Sequence, residues 1–207
     1  MQKAAALFLI LFFGISVLLF AQDDAPETEP DWEDIYTSDL YTRGDQTLAI
    51  GLGVGFPIAF INTYEQKIIS DPKIEPPLGG TGFINYTYYF NSRFFLGGEL
   101  GLLFLPTIGG NTVFITFFGP RLGTQFVLGR FEFPLSMALG GTIQTYLDMG
   151  YFGYYMKAGG GAYFRITHQW SFGITSNFCW FPQWTEDSKK NIDALFIDLA
   201  IVGRYHF

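Results

Sequence analysis

Cysteine is almost missing: Cys179 stands alone among 207 residues, so no intramolecular disulfide holds the fold. A single thiol reads as a small packing residue. Charge is scarce too, at 15% of residues against about 25% in ordinary chains. There is no basic stripe, which argues against nucleic-acid binding. Histidine occurs twice, as His168 and His206, and no cluster of ligating side chains has metal-site spacing. No metal or other cofactor is expected. After the first 21 residues no long apolar run occurs, which excludes a bundle of membrane helices. Rings, by contrast, are abundant: aromatics make up 19% of the chain, beside 25 glycines.

Residues 1–21 read as a secretion signal, with Lys3, an apolar stretch from Ala4 to Phe20, and the small Ala21. Bulky Leu19 departs from the small-x-small pattern before a cut. A retained membrane helix is the alternative reading. Residues 22–45 carry nine acids against Arg43, while residues 46–207 carry ten acids and ten bases. The formal charge of −7 therefore belongs to the N-terminal segment. Residues 22–30 have the composition of a disordered stretch. Trp32, Ile35, Tyr36, Leu40 and Tyr41 have helical spacing, suited either to an amphipathic turn at a membrane surface or to a mobile linker.

From Gln46 onward the pattern is strict alternation, the period of an extended strand. In the last segment Leu195, Ile197, Leu199, Ile201, Tyr205 and Phe207 share one face, and Ala194, Asp198, Ala200, Arg204 and His206 the other. Eight such segments are predicted, near 47–56, 81–90, 94–104, 113–126, 131–144, 154–166, 170–180 and 192–207. Short connections at 91–93, 128–130 and 167–169 alternate with longer ones at 57–80, 105–112, 146–153 and 181–191. The expectation is an all-β, eight-stranded antiparallel up-and-down transmembrane barrel over 46–207, with both termini at one end.

The ionisable residues inside these segments sit opposite the Leu and Phe rows. Glu99, Arg121, Glu132, Lys157, Arg165, Asp198 and Arg204 form the candidate lumen network. A basic side chain turned to lipid costs about 2–4 kcal/mol at the midplane, so register is strongly specified. Folding the hairpins places Glu99 near Arg121 and Glu132 near Arg165. Such a set reads as a packed polar core, or as a gate that opens when a pair exchanges partners. A soluble cup with the same alternation would turn the Leu and ring rows inward, and eight strands leave too little room for them. The spaced glycines Gly51, Gly53 and Gly55 read as wall packing rather than a phosphate loop. No carboxylate completes a set with Ser171 or Ser176 and either His, so an enzyme is not expected.

These residues resemble the small outer-membrane β-barrels of the OmpX, OmpA and OmpW type, and in particular the eight-stranded barrels of spirochaetes. The resemblance covers about residues 46–207 and the signal. It includes a carboxyl-terminal assembly signal, Gly203-Arg204-Tyr205-His206-Phe207, which keeps both rings but sets the glycine one residue closer than the usual pattern. It implies an outer-membrane protein in contact with lipid and the barrel-assembly machinery. The acidic N-terminal segment would be periplasmic and the long loops extracellular. It also implies a non-enzymatic role, with loop 57–80 the candidate for a host ligand. The alternative is a narrow OmpW-like channel for small or apolar solutes, with Pro120 and Pro134 weakening the wall. Without such an opening, those prolines read as curvature-setting bulges. A lipid-modifying enzyme is the third reading.

Overall fold

A computed structural model describes residues 41–65, 67–68, 78–106, 112–146, 149–183 and 191–207. Residues 1–21, read above as a secretion signal, and nearly all of the acidic segment lie outside these residues. The strands are β1 (Gln46–Asn62), β2 (Lys67–Ile68), β3 (Gly79–Tyr89), β4 (Phe94–Pro106), β5 (Thr112–Leu128), β6 (Phe131–Tyr146), β7 (Met149–Arg165), β8 (Trp170–Gln183) and β9 (Ile192–His206). Strands β1 and β3 to β9 pair with their neighbours, all antiparallel, and β1 also pairs with β9. Eight staves thus close on themselves, which pairs the two edges that an open sheet would leave bare.

Alternation sorts the side chains as the sequence indicates. Along β9, Ile197, Leu199 and Ile201 are exposed while Phe196, Asp198, Ala200 and Val202 are buried. Leu100 is 53% and Leu139 58% exposed, among dozens of large apolar side chains outside. A surface of that kind fits only an apolar solvent. Rings band the short-turn end: Phe131 packs on Phe164 at 5.3 Å, Trp170 on Tyr205 at 5.0 Å, and Tyr205 on Phe207 at 5.0 Å.

The tight turns have local causes. Gly129 adopts φ 58°, a left-handed conformation that suits glycine in a two-residue hairpin turn. Asn91 Oδ1 accepts from the Arg93 and Phe94 N–H groups, and Thr167 Oγ1 from that of Trp170. Inside the wall, the Phe83 ring lies over Gly51, where a Cβ would collide with it.

The far end differs from expectation. Strand β1 runs to Asn62 and β3 starts at Gly79, so the connection expected at 57–80 is 63–78 and includes β2. Within this connection Tyr64 and Glu65 are exposed, Lys67 lies in β2, and Asp71 and Lys73 lie outside the described residues. Strands β6 and β7 pair as far as Tyr146↔Met149, which leaves two residues between them where a longer loop was expected. A bulge between Pro57 and Ala59 then turns Phe60 over the lumen, opposite Ala194 and edge-on to Phe196 at 5.8 Å.

Candidate functional site: a lumen filled in three layers

The lumen holds three strata. At the short-turn end, fully buried Glu132 is the hub. Its Oε1 accepts from Arg165 Nε at 2.7 Å. Its Oε2 accepts from Arg204 Nη1 at 2.9 Å, Tyr41 Oη at 2.6 Å and Gln125 Nε2 at 3.3 Å. Both oxygens of the buried carboxylate accept charge-assisted bonds, the condition under which a buried ion pair is tolerated. Arg204 also lies over the Tyr163 ring at 3.7 Å, a cation–π contact.

Tyr41 is the unexpected member. It precedes β1, yet it is 2% exposed and stacks on Tyr89 with ring centroids 4.0 Å apart. Bonds from Gly44 N to Tyr89 O and from Tyr89 N to Asp45 O hold the entering chain. The Thr42 N–H donates to Asp45 Oδ2. Burial first, and then Tyr89, push the Tyr41 phenol well above its ordinary range, so it keeps the proton it donates. The segment read as a surface turn or linker thus places its last ring in the barrel mouth.

His206 and Ser171 meet in the same layer. Ser171 Oγ lies 2.9 Å from Nε2, and Arg165 Nη2 lies 2.9 Å from Nδ1. A guanidinium is always a donor, so Nδ1 accepts and Nε2 carries the hydrogen. That tautomer donates to Ser171 and cannot take its proton. The pair is not an activated nucleophile.

The middle stratum is built on Lys157, whose Nζ lies 3.4 Å from both Glu99 Oε2 and Asp198 Oδ2 and 4.6 Å from the Phe83 ring centroid. Glu99 also accepts from Tyr155 Oη at 2.8 Å. Asp198 Oδ1 accepts from the backbone N–H and side-chain amide of Asn177.

The expected Glu99–Arg121 pair is replaced by Glu99–Lys157. Hairpin register sets Arg121 opposite Gly97, and Arg121 donates instead to Ser136 Oγ and Thr87 Oγ1. Lys157 reaches Glu99 from across the lumen, a contact that hairpin folding alone does not show. The Glu132–Arg165 pair is present.

The third stratum, toward the longer connections, is apolar. Leu103, Leu105, Ile115, Phe117, Phe181 and Phe196 fill it. Beside it, Gln183 donates to Gln144. The packed polar core expected from the charge pattern does not extend to this layer. Segments such as Phe178-Cys179-Trp180-Phe181 are apolar on both faces, so alternation carries no signal there.

Pro120 faces outward and Pro134 is buried. Each interrupts pairing on one side: β5 with β6 between Phe118 and Arg121, and β6 with β7 between Glu132 and Leu135. The register resumes unshifted past both, so no bulge forms at either. The interruptions fall on different seams. At the carboxyl terminus Tyr205 lies beside Trp170, the Phe207 N–H donates to Gln46 O, and Gly203 packs beside Phe172.

A protein-family model matches residues 26–205. The chain is similar to an uncharacterized protein of Treponema pallidum (strain Nichols), at 36% identity over 172 residues, covering 79% of this chain and 78% of that one. The chain belongs to that family. Among solved structures it is similar to Neisserial surface protein A, with TM-score 0.60 and 10% identity over 79% of this chain and 97% of that one. A match to outer membrane protein OprG from Pseudomonas aeruginosa has TM-score 0.47 and 9% identity, covering 81% and 97%. The family fold is that of the small outer-membrane β-barrels.

Proposed function

We propose that the protein is a sealed outer-membrane barrel that displays its longer-connection end to the surroundings and neither passes solute nor catalyses a reaction. The observation that carries this reading is the lumen packing: a Tyr41–Glu132–Arg204 layer, a Glu99–Lys157–Asp198 layer and an apolar layer, each spanning the bore. Eight strands enclose an interior that side chains just fill. A channel for apolar solutes would use the apolar layer, but that layer ends on buried charges, and the two proline interruptions share no seam. The His206 tautomer argues against hydrolysis at Ser171.

In this reading the tight-turn end and the acidic segment face the periplasm, with Tyr205 and Phe207 serving assembly. The β1–β2 ribbon projects outward and carries Tyr64 at 59% and Ile68 at 66% exposure. Strands of about 9–11 residues cross a bilayer, and β1 has 17, so its last turns stand clear of the lipid. Exposed apolar groups there suit a protein partner on a host or environmental surface.

Refolded full-length protein in planar bilayers is expected to give no discrete conductance steps. Vesicles bearing it are expected to lose adhesion to host cells when residues 63–78 are replaced by Asn-Gly. Stepwise ohmic conductance would overturn the sealed lumen, and undiminished adhesion would overturn display by the ribbon.

A further inference from the structure

The middle of the lumen holds a cavity of about 10 Å³ lined by Asn85, Glu99, Arg121, Ser136, Lys157 and Thr175. Two polar atoms on these walls, Asn85 Oδ1 and Thr175 Oγ1, are buried and have no partner. Both residues are 7% exposed, on strands β3 and β8 on different sides of the bore. Buried polar groups left unbonded are uncommon and ask for a reason. A space of about 10–15 Å³ holds one water if two to four polar partners converge on it.

We propose that this cavity is a binding site for a single ordered water that joins β3 to β8. Its two hydrogens are donated to Asn85 Oδ1 and Thr175 Oγ1. Its oxygen accepts from Lys157, since an ammonium has three donors and the two carboxylates take only two. The water makes three bonds, the usual number for a buried one. A metal ion is disfavoured, because Lys157 and Arg121 bring positive charge to the same space. Anything larger than water does not fit. The water adds a hydrogen-bonded link between β3 and β8, two staves that are not neighbours in the barrel.

A crystal structure of the refolded full-length chain in detergent tests the site directly. One solvent peak within hydrogen-bond distance of both Asn85 and Thr175 is the expected result. An empty cavity, or an ion there, overturns the proposal. Thr175→Val supplies a second readout whose sign decides. If the water is bound, losing its acceptor lowers the unfolding midpoint by about 2–4 °C. If the site is dry, trading an unbonded hydroxyl for a methyl is neutral or stabilising. An unchanged or raised midpoint therefore overturns the proposal.

Discussion

Glu132→Gln is expected to cost about 3–5 kcal/mol of folding free energy, the penalty for removing one partner of a buried charge set. The neutral amide keeps the shape but strands two buried guanidiniums, Arg165 and Arg204, against one another. Both now bond the same carboxylate, at 2.7 and 2.9 Å. The check is urea unfolding in lipid vesicles, with the compact, fast-migrating band on unboiled gels as a second readout. Adding Arg204→Met should recover part of the loss, because one stranded charge leaves with it; independent effects would simply add. Tyr41→Phe is the matched control. It removes one donor to Glu132 at 2.6 Å and a longer contact with Arg204 at 3.4 Å but no charge, so its cost should be about 1.5–3 kcal/mol, the range for a hydrogen bond to a charged group. A Glu132→Gln loss no larger than that of Tyr41→Phe would show that the hub is not a charge hub.

Lys157→Met should rank beside it. The side chain keeps its apolar length against the Phe83 ring but no longer neutralises Glu99 and Asp198, each about 3.4 Å from the ammonium. The two carboxylates are not equally exposed to the loss. Asp198 keeps two bonds from Asn177, whereas Glu99 keeps the Tyr155 hydroxyl. The expected cost is about 3–5 kcal/mol. Glu99→Gln in the same background should recover more of it than Asp198→Asn. Equal recovery would mean that the Asn177 bonds do not protect Asp198.

Much of this architecture is legible in the chain. Glu99, Lys157, Arg165, Asp198 and Arg204 each interrupt an apolar row by one position, and period-two geometry alone then turns them inward. The hairpin between Phe131 and Arg165 places Glu132 beside Arg165 because both lie within one pair of neighbouring strands. Contacts between staves that are not neighbours do not follow from such reasoning. Lys157 to Glu99 and Arg204 to Glu132 cross the bore, and barrel closure, which no local pattern encodes, decides them. Tyr41 is invisible for another reason: it lies in an acidic stretch with no strand period, and only the shape of the mouth selects it. The apolar layer escapes notice because Leu103, Phe181 and Phe196 sit where both faces of a strand are greasy. There composition masks the alternation that marks in from out.

The Leu and Phe rows contact lipid while the charges meet inside. Nitroxide labels at Leu100 and at Leu199, each a single cysteine in a Cys179→Ala background and reconstituted in bilayers, test it most directly. Both should relax strongly with oxygen, which concentrates in lipid, and hardly at all with a water-soluble nickel chelate. Labels at either position that respond to the chelate instead would contradict it.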